Sequence, residues 1–284
     1  MRFVKKYWLE TFMVLPLFAY LIYFTFIPVL QTVQISFIDD KSHQLSLKNY
    51  ESLFSHIDFN SALFNTIFIT LIGLTVQIVI ALVIALILKR KFFGRSFFRT
   101  IMLIPMGVPT LVSGVTLLFV FGQTGYFNEL LYRLGILSTQ PYWLGGGIES
   151  LAVIIFADMW KVLPLTILLL LAGLESIGDD VYEASSIDGA TSWKKFWYIT
   201  LPLLKPSITM AIILRAIDSF RIFELPLVMT GKNVPVLSTF AYEAFQRNQY
   251  GLSGAAAVIL LLIIIIFILL YFFIVERKEA RSNT

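Results

Sequence analysis

The stretch L-L-I-I-I-I-F-I-L-L, from Leu261 to Leu270, contains no polar side chain. It lies inside a longer apolar run over about residues 255–275. An α-helix needs about 20 mostly apolar residues to cross the hydrocarbon core of a bilayer. This run therefore predicts a membrane-spanning helix.

Five further segments satisfy the same criterion. They lie at about 206–230, 151–173, 99–122, 63–88 and 11–37. The sequence therefore predicts an all-α integral membrane protein with about six transmembrane helices. We expect these helices to form a single transmembrane domain over residues 1–284.

The composition of the chain also favours lipid as its solvent. Hydrophobic residues make up 58% of the chain and charged residues 14%, against about 45–50% and about 25% in soluble domains. The absence of cysteine excludes disulfides and Cys-ligated metals. Only His43 and His56 supply imidazoles, which leaves little for a histidine-based metal site or catalytic site.

The first apolar run needs to be distinguished from a signal peptide, because Arg2, Lys5 and Lys6 precede it. The run continues from Thr11 to Ile38, which is too long for a signal sequence, and it lacks a small-x-small cleavage site. We therefore expect a retained first helix.

Prolines interrupt two of the predicted spans. Neighbouring helices satisfy the backbone groups that a proline frees in a membrane helix. We therefore expect bends in a packed bundle rather than separate helical pieces at Pro16, Pro28, Pro105 and Pro109.

The basic residues between the spans predict the orientation of the chain. The segments on one side, including both termini, carry 14 Lys and Arg, and those on the other side carry 5. Positively charged loops stay in the cytoplasm, so both termini are expected there and residues 38–62, 123–150 and 231–254 outside. This distribution accounts for the net charge of +4 without nucleic acid as a partner.

The segment between the fourth and fifth spans has an unusual pattern for a membrane loop. It reads D-D-V-Y-E-A-S-S-I-D-G-A-T-S-W-K-K-F-W-Y-I-T-L-P over residues 179–202. We expect Asp179 and Asp180 to cap a first helix, Gly189 to break it, and a second amphipathic run to follow over residues 192–199. Pro202 and Pro206 are expected to end that run and to begin the fifth span. On composition alone, an interfacial helix anchored by tryptophan fits as well.

The spacing within this segment resembles the EAA loop of ABC importer permeases, E-A-A-x3-G-x9-I-x-L-P. The matching positions here are Glu183, Ala184, Ser185, Gly189, Ile199, Leu201 and Pro202. Ser185 departs from the pattern, but serine is nearly as small as alanine. The stretches 99–109 and 125–135 are similar to those of the carbohydrate branch of that family, which includes maltose-, lactose- and glycerol-3-phosphate-type importers, and in particular to the first of its two unlike permeases.

The resemblance implies a mechanism and a set of partners. A second, unlike permease would complete the pathway, and two nucleotide-binding ATPase subunits that bind ATP and Mg would dock on the cytoplasmic side. An extracytoplasmic solute-binding protein would deliver the solute to this complex in a bacterial or archaeal cell membrane. Glu183 would be a charge partner in the docking groove, and Gly189 would form the turn between two short helices.

The absence of a nucleotide-binding motif from the sequence agrees with an ATPase on separate subunits. It contains no G-x4-G-K-[S/T] phosphate-binding loop. We therefore expect no cofactor and no enzymatic activity in this chain, with ATP hydrolysis carried out by the partner subunits.

Ionisable residues inside the spans cost about 2.5–3.5 kcal/mol each and usually face the bundle interior or water. The fourth span contains Asp158 and Lys161, one turn apart. Steps of three place the charged residues of the fifth span on one helix face: Arg215, Asp218, Arg221 and Glu224. They are either internal ion pairs that fix the packing or a polar wall of the solute pathway.

Other side chains in the spans are also candidates for contact with a solute. Phe220, Phe223 and Tyr242 are aromatic residues that could stack on sugar rings. Asn65 and Gln77 are expected to form hydrogen bonds between helices.

Two other functional classes remain at this point. An ion-gradient-driven secondary transporter would explain six helices and buried charges, but not the patterned cytoplasmic segment. A membrane enzyme is disfavoured because the chain lacks cysteine and clustered metal ligands. The solute itself stays open: a glycerol phosphate would need cations such as Lys161 or Arg221, and an oligosaccharide would need more aromatic surface.

Overall fold

The computed structural model describes residues 8–40 and 42–282, with side chains for all of these except Thr11 and residues 275–282. Four of the basic residues used for the orientation lie outside the described residues: Arg2, Lys5, Lys6 and Lys41.

The described part of the chain consists of helices and contains no β-strand. In chain order the helices are α1 (Trp8–Ser36), α2 (Lys48–Ser55), α3 (Ile57–Lys89), α4 (Arg95–Gly107), α5 (Thr110–Phe121), α6 (Tyr126–Arg133), α7 (Gly147–Glu175), α8 (Asp179–Ile187), α9 (Ser192–Phe220), α10 (Glu224–Thr230), α11 (Leu237–Gln246) and α12 (Tyr250–Ser282). Among the residues that the structure describes, six segments are long and apolar enough to cross a membrane: Trp8–Ser36, Ile57–Lys89, Thr110–Arg133, Gly147–Glu175, Ser192–Phe220 and Tyr250–Ile274. The all-α membrane fold expected from the sequence is thus confirmed.

Two helices contain a wide, π-helical turn that ends two residues before a proline. These turns are Ile22–Phe26 in α1, before Pro28, and Phe196–Thr200 in α9, before Pro202. A proline lacks an N–H and crowds the carbonyl four residues earlier, and in both helices that carbonyl belongs to the wide turn. The turn therefore accommodates the proline without ending the helix.

This arrangement corrects one prediction. Pro202 and Pro206 do not end the amphipathic run that begins at Ser192, because α9 continues through both residues to Phe220. The second half of the patterned segment is therefore the beginning of the fifth spanning helix.

The third predicted span is divided into two helices, which corrects the expectation of a bend. Helix α4 ends at Gly107 and α5 begins at Thr110, with Val108 in an extended conformation (φ −82°, ψ 130°). A residue that precedes a proline is driven away from the helical region. Pro109 therefore imposes a full break.

The fifth predicted span is also divided. Helix α9 ends at Phe220, and α10 begins at Glu224. An unbroken helix would place Pro226 against the carbonyl of Ile222. In the structure Pro226 instead falls in the first turn of a new helix, where no amide donor is needed.

The chain forms two compact units, one of which comprises residues 1–59 and 240–263. In this unit the side-chain amide of Asn49 donates hydrogen bonds to the carbonyl oxygens of Ser36 (3.0 Å) and Ile38 (2.7 Å). A Cβ atom at Gly251 would clash with Asn49 and with the Ile38 carbonyl. The small residue is therefore required for this close packing.

The other unit comprises residues 60–239 and 264–284. Its interior includes an apolar cluster around Ile154 on α7 and another around Leu170 on the same helix. The predicted site residues belong to this unit, apart from the aromatic candidate Tyr242, which belongs to the first unit.

Candidate functional site

The patterned segment begins with α8, whose N-cap is Gly178. Gly178 provides no side-chain cap, and Asp179 and Asp180 lie in the first helical turn. The expected capping by these two aspartates is therefore wrong. Their carboxylates instead favour the helix by facing the positive end of its dipole.

The turn predicted at Gly189 is present and closes α8. Gly189 has φ +75°, in the left-handed region that favours glycine. The amide of Ala190 donates to the Ser185 carbonyl (2.9 Å), and the amide of Gly189 donates to the Ser186 carbonyl (3.1 Å). These two bonds form a Schellman motif, which satisfies carbonyls at the end of the helix.

The side chains of the E-A-A pattern differ in exposure. Glu183 and Ala184 are exposed, while Ser185 is buried and its hydroxyl donates to the Tyr182 carbonyl (2.8 Å). This bond stays within one helical turn, so the hydroxyl needs no partner outside α8. Glu183 thus projects an available carboxylate from the surface of this segment.

Contacts between side chains hold α8 against the start of α9. The Tyr182 hydroxyl lies 3.1 Å from the Thr200 hydroxyl, and the ammonium group of Lys195 donates to the Ser186 hydroxyl. The segment is therefore a packed helix pair with a fixed turn.

The intramembrane charges form a network around Arg215. Only 2% of its side chain is exposed, and its guanidinium donates to Asp158 Oδ2 (2.8 Å) and to Gln77 Oε1 (3.1 Å). The Gln77 amide in turn donates to the Thr166 hydroxyl (3.0 Å). The network links α3, α7 and α9.

One end of this network reaches an exposed surface. Asp218 Oδ2 lies 3.6 Å from Arg215, and Asp218 Oδ1 lies 3.3 Å from Arg221. The side chains of Asp218 and Arg221 are 53% and 61% exposed. Glu224 is also exposed, but it belongs to α10, beyond the break in the predicted helix.

Lys161 lies one helical turn from Asp158, but its ammonium group bonds to a different residue. Its ammonium group donates to the Val108 carbonyl (2.9 Å), in the break between α4 and α5. A carbonyl at such a break has lost its partner within the helix. Lys161 therefore stabilises the break and is not an ion-pair partner one turn from Asp158.

The structure also corrects the aromatic candidate Phe220. Its side chain is 3% exposed and its ring packs edge-on against Phe267, at a centroid distance of 5.3 Å. Phe220 is therefore part of the packing interior and presents no open ring face to a solute.

The predicted polar residues of α3 make the hydrogen bonds expected of them, with one difference. The Gln77 amide donates to a residue of another helix. The Asn65 amide instead donates to the carbonyl of Pro235 (2.8 Å), which lies in the loop between α10 and α11. Sequence reasoning missed Thr166, because threonine is common on apolar helices and nothing in the local pattern marks it as a partner of Gln77.

Within the described residues, no group of three or more His, Cys, Asp or Glu side chains could hold a metal ion. The titratable side chains described above instead form salt bridges and hydrogen bonds or are exposed on the surface.

Comparisons with known proteins agree with these features. Residues 77–283 match the family model described as a binding-protein-dependent transport system inner membrane component. The chain is 36% identical to the trehalose/maltose transport system permease protein MalF of Thermococcus litoralis, over 86% of this chain and 85% of that one. It is 32% identical to the multiple sugar-binding transport system permease protein MsmF of Streptococcus mutans, over 89% and 90%.

A solved structure has the same fold. It is a bacterial ABC transporter involved in the import of the acidic polysaccharide alginate, with a TM-score of 0.85 over 97% of this chain and 98% of that one. The sequence identity is 22%, so this likeness concerns the fold alone.

Proposed function

Because the chain belongs to the family of binding-protein-dependent transport system inner membrane components, we propose that it takes part in the import of a sugar or a related polyol or glycerol phosphate. It is a permease subunit of an ATP-driven importer whose ATPase is a separate subunit. Two relatives that align over most of this chain are named for the transport of trehalose and maltose or of multiple sugars. Their names support a carbohydrate most directly.

In this proposal the chain forms half of the translocation pathway. A second, unlike permease forms the other half in the lipid bilayer, and an extracytoplasmic binding protein delivers the solute. Two nucleotide-binding subunits hold ATP and Mg and drive alternating access. Both termini and the segment 179–202 face the cytoplasm, which the distribution of Lys and Arg supports.

The helix pair α8–α9 is the observation that carries the coupling proposal. Glu183 and Ala184 are exposed on α8, and Gly189 forms a left-handed turn beside them. We assign the contact with the ATPase to Glu183, Ala184 and Gly189, and we assign Ser185, Leu201 and Pro202 to holding this coupling surface against the fifth span.

A substitution at Gly189 tests the coupling proposal. A Cβ atom at Gly189 would meet no heavy atom within 4 Å. Gly189→Val therefore acts through backbone strain and through the shape presented to a partner. We expect this variant to assemble but to lose ATP hydrolysis stimulated by the binding protein.

The matched control is Gly135→Val. Gly135 has φ +69° and equally open surroundings, but it lies in a different loop. Stimulated hydrolysis at the wild-type rate in Gly189→Val would show that this turn does not couple the permease to the ATPase.

The charges that remain exposed are proposed to line the solute pathway. We assign this role to Asp218, Arg221 and Glu224, which offer donors and acceptors for hydroxyl groups. Asp158 and Lys161 are placed behind this surface, where they hold the helices through Arg215 and the Val108 carbonyl.

Alanine substitutions test the pathway assignment. Asp218→Ala, Arg221→Ala and Glu224→Ala should each slow uptake while leaving the assembled complex intact. The assignment fails if all three variants transport the solute at the wild-type rate.

A further inference from the structure

A cleft of about 670 Å³ opens between the C-terminal end of α3 and the helix pair α8–α9. Cationic and apolar side chains line it, together with two carboxylates and four hydroxyl groups. Lys89, Arg90 and Lys195 contribute cations, and Leu86 and Phe196 contribute apolar surface. The cleft is thus suited to a ligand with a negative group and an apolar portion.

Lys89 supplies an independent sign that the cleft takes an anion. Its ammonium group is removed from solvent and has no hydrogen-bond acceptor within the described residues. It lies 4.1 Å from the centroid of the Tyr182 ring. A cation–π contact replaces only part of the hydration of an ammonium group, which has three donors. A shielded cation without an acceptor is unfavourable, so an anionic oxygen would stabilise it.

The carboxylates of the cleft do not satisfy this cation. Asp179 and Glu183 also line the cleft, but both are exposed to solvent. Charges in contact with water and salt are strongly screened, whereas a shielded charge is not. The shielded ammonium of Lys89 therefore dominates the local potential, and the half-buried Lys195 adds to it.

The surroundings of the cleft indicate where the anion comes from. Trp193, Trp197 and Tyr198 are 71%, 46% and 80% exposed, and they lie beside the cleft residues Lys195 and Phe196 on α9. Exposed Trp and Tyr collect at the depth of the lipid headgroups. Basic pockets between helices on the cytoplasmic side bind anionic headgroups.

We propose that this cleft binds the phosphate group of an anionic phospholipid from the cytoplasmic leaflet, with Lys89 and Lys195 as its principal contacts. The leaflet rests on the proposed orientation of the chain. A lipid in this position would lie against the proposed coupling segment, so that the composition of the membrane would affect the stability of the helix pair.

The test uses the importer purified with its partner subunits and reconstituted in phosphatidylcholine that contains a minor fraction of phosphatidylglycerol. Phosphatidylglycerol retained by the complex is counted by native mass spectrometry. We expect Lys89→Met and Lys195→Met each to lower retention about fivefold, which corresponds to about 1 kcal/mol for each basic side chain near an anionic surface. Lys194→Met removes a neighbouring charge that does not line the cleft and should leave retention unchanged.

The arms of the experiment separate the possible ligands. Excess inorganic phosphate should not displace the lipid, and complete displacement would identify a free anion as the ligand and overturn the proposal. Unchanged lipid retention in both variants would also overturn it, and a loss of ATPase binding in those variants would then assign the missing acceptor to the ATPase. If the Lys89→Met complex does not assemble, Lys195→Met alone tests the proposal. Uptake by the wild-type complex tests the proposed function separately.

Discussion

The surroundings of Arg215 indicate a role in helix packing rather than in contact with the solute. It is fully enclosed and bonded to Asp158 and Gln77, whereas Arg221 on the same chain segment is 61% exposed. Removing one partner of a buried pair leaves the other charge without compensation. The same substitution at the two arginines should therefore have different consequences.

We expect Arg215→Met to lower the free energy of unfolding by about 3–5 kcal/mol, because it leaves Asp158 unpaired. Arg221→Met should change it by less than about 0.5 kcal/mol, as is usual for an exposed site, while slowing uptake. Denaturant titration of the purified complex measures the first effect, and a transport assay measures the second. Equal stability of the two variants would contradict the structural role of Arg215.

Ser185 is expected to tolerate replacement by a residue of similar size. Its hydroxyl bonds only to the carbonyl of Tyr182, within its own helix, and the side chain is buried. Ser185→Ala should therefore leave uptake and stimulated ATP hydrolysis near the wild-type values. Ser185→Leu, which needs space that the site lacks, should reduce both. A large loss of activity in Ser185→Ala would mean that the hydroxyl contacts a partner subunit.

At this scale the sequence predicts which residues are charged and buried, but not how they pair. Steps of three along a helix suggested Asp158 with Lys161, and the structure pairs Asp158 with Arg215 on another helix. Local spacing cannot reveal such a partner, because 57 residues separate the two positions.

Among the helices, a third helix supplies a stabilising contact to the break between α4 and α5. Lys161 on α7 donates to the Val108 carbonyl, which is exposed by the break at Pro109. Lys161→Met should destabilise the complex by about 1 kcal/mol, because the partly buried Val108 carbonyl loses its partner.

Lys161→Arg retains donors and should recover part of this loss. Lys194→Met removes an exposed lysine and serves as the control. If thermal unfolding of Lys161→Met coincides with that of the control, the contact with Val108 does not stabilise the break.

The helices also show why the sequence predicted where the spans lie but not where they break. Apolar runs located the helices because burial in lipid depends on composition. The effect of each proline depended on its surroundings: Pro28 and Pro202 follow wide turns that accommodate them, whereas Pro109 and Pro226 coincide with breaks. Serine and lysine side chains from other segments bond to the freed carbonyls of Ile222 and Val108, and these contacts appear only in the folded chain.

Across the whole molecule, the absence of cysteine makes the proposed orientation directly testable. A single cysteine introduced at Ser192 should react with a membrane-impermeant maleimide only after the cells are opened. A cysteine at Ser138 should react in intact cells. The opposite pattern of labelling would invert the proposed topology and would place the coupling segment on the wrong side for an ATPase.

The central claim is that transport by this chain is driven by ATP through the segment 179–202. The most direct measurement is the uptake of a labelled sugar, one that the binding protein of the complex recognises, into proteoliposomes that contain the complete importer and that binding protein. The account predicts uptake that requires ATP and the binding protein, persists when ionophores abolish ion gradients, and is lost in Gly189→Val. Uptake that follows the membrane potential without ATP would contradict it.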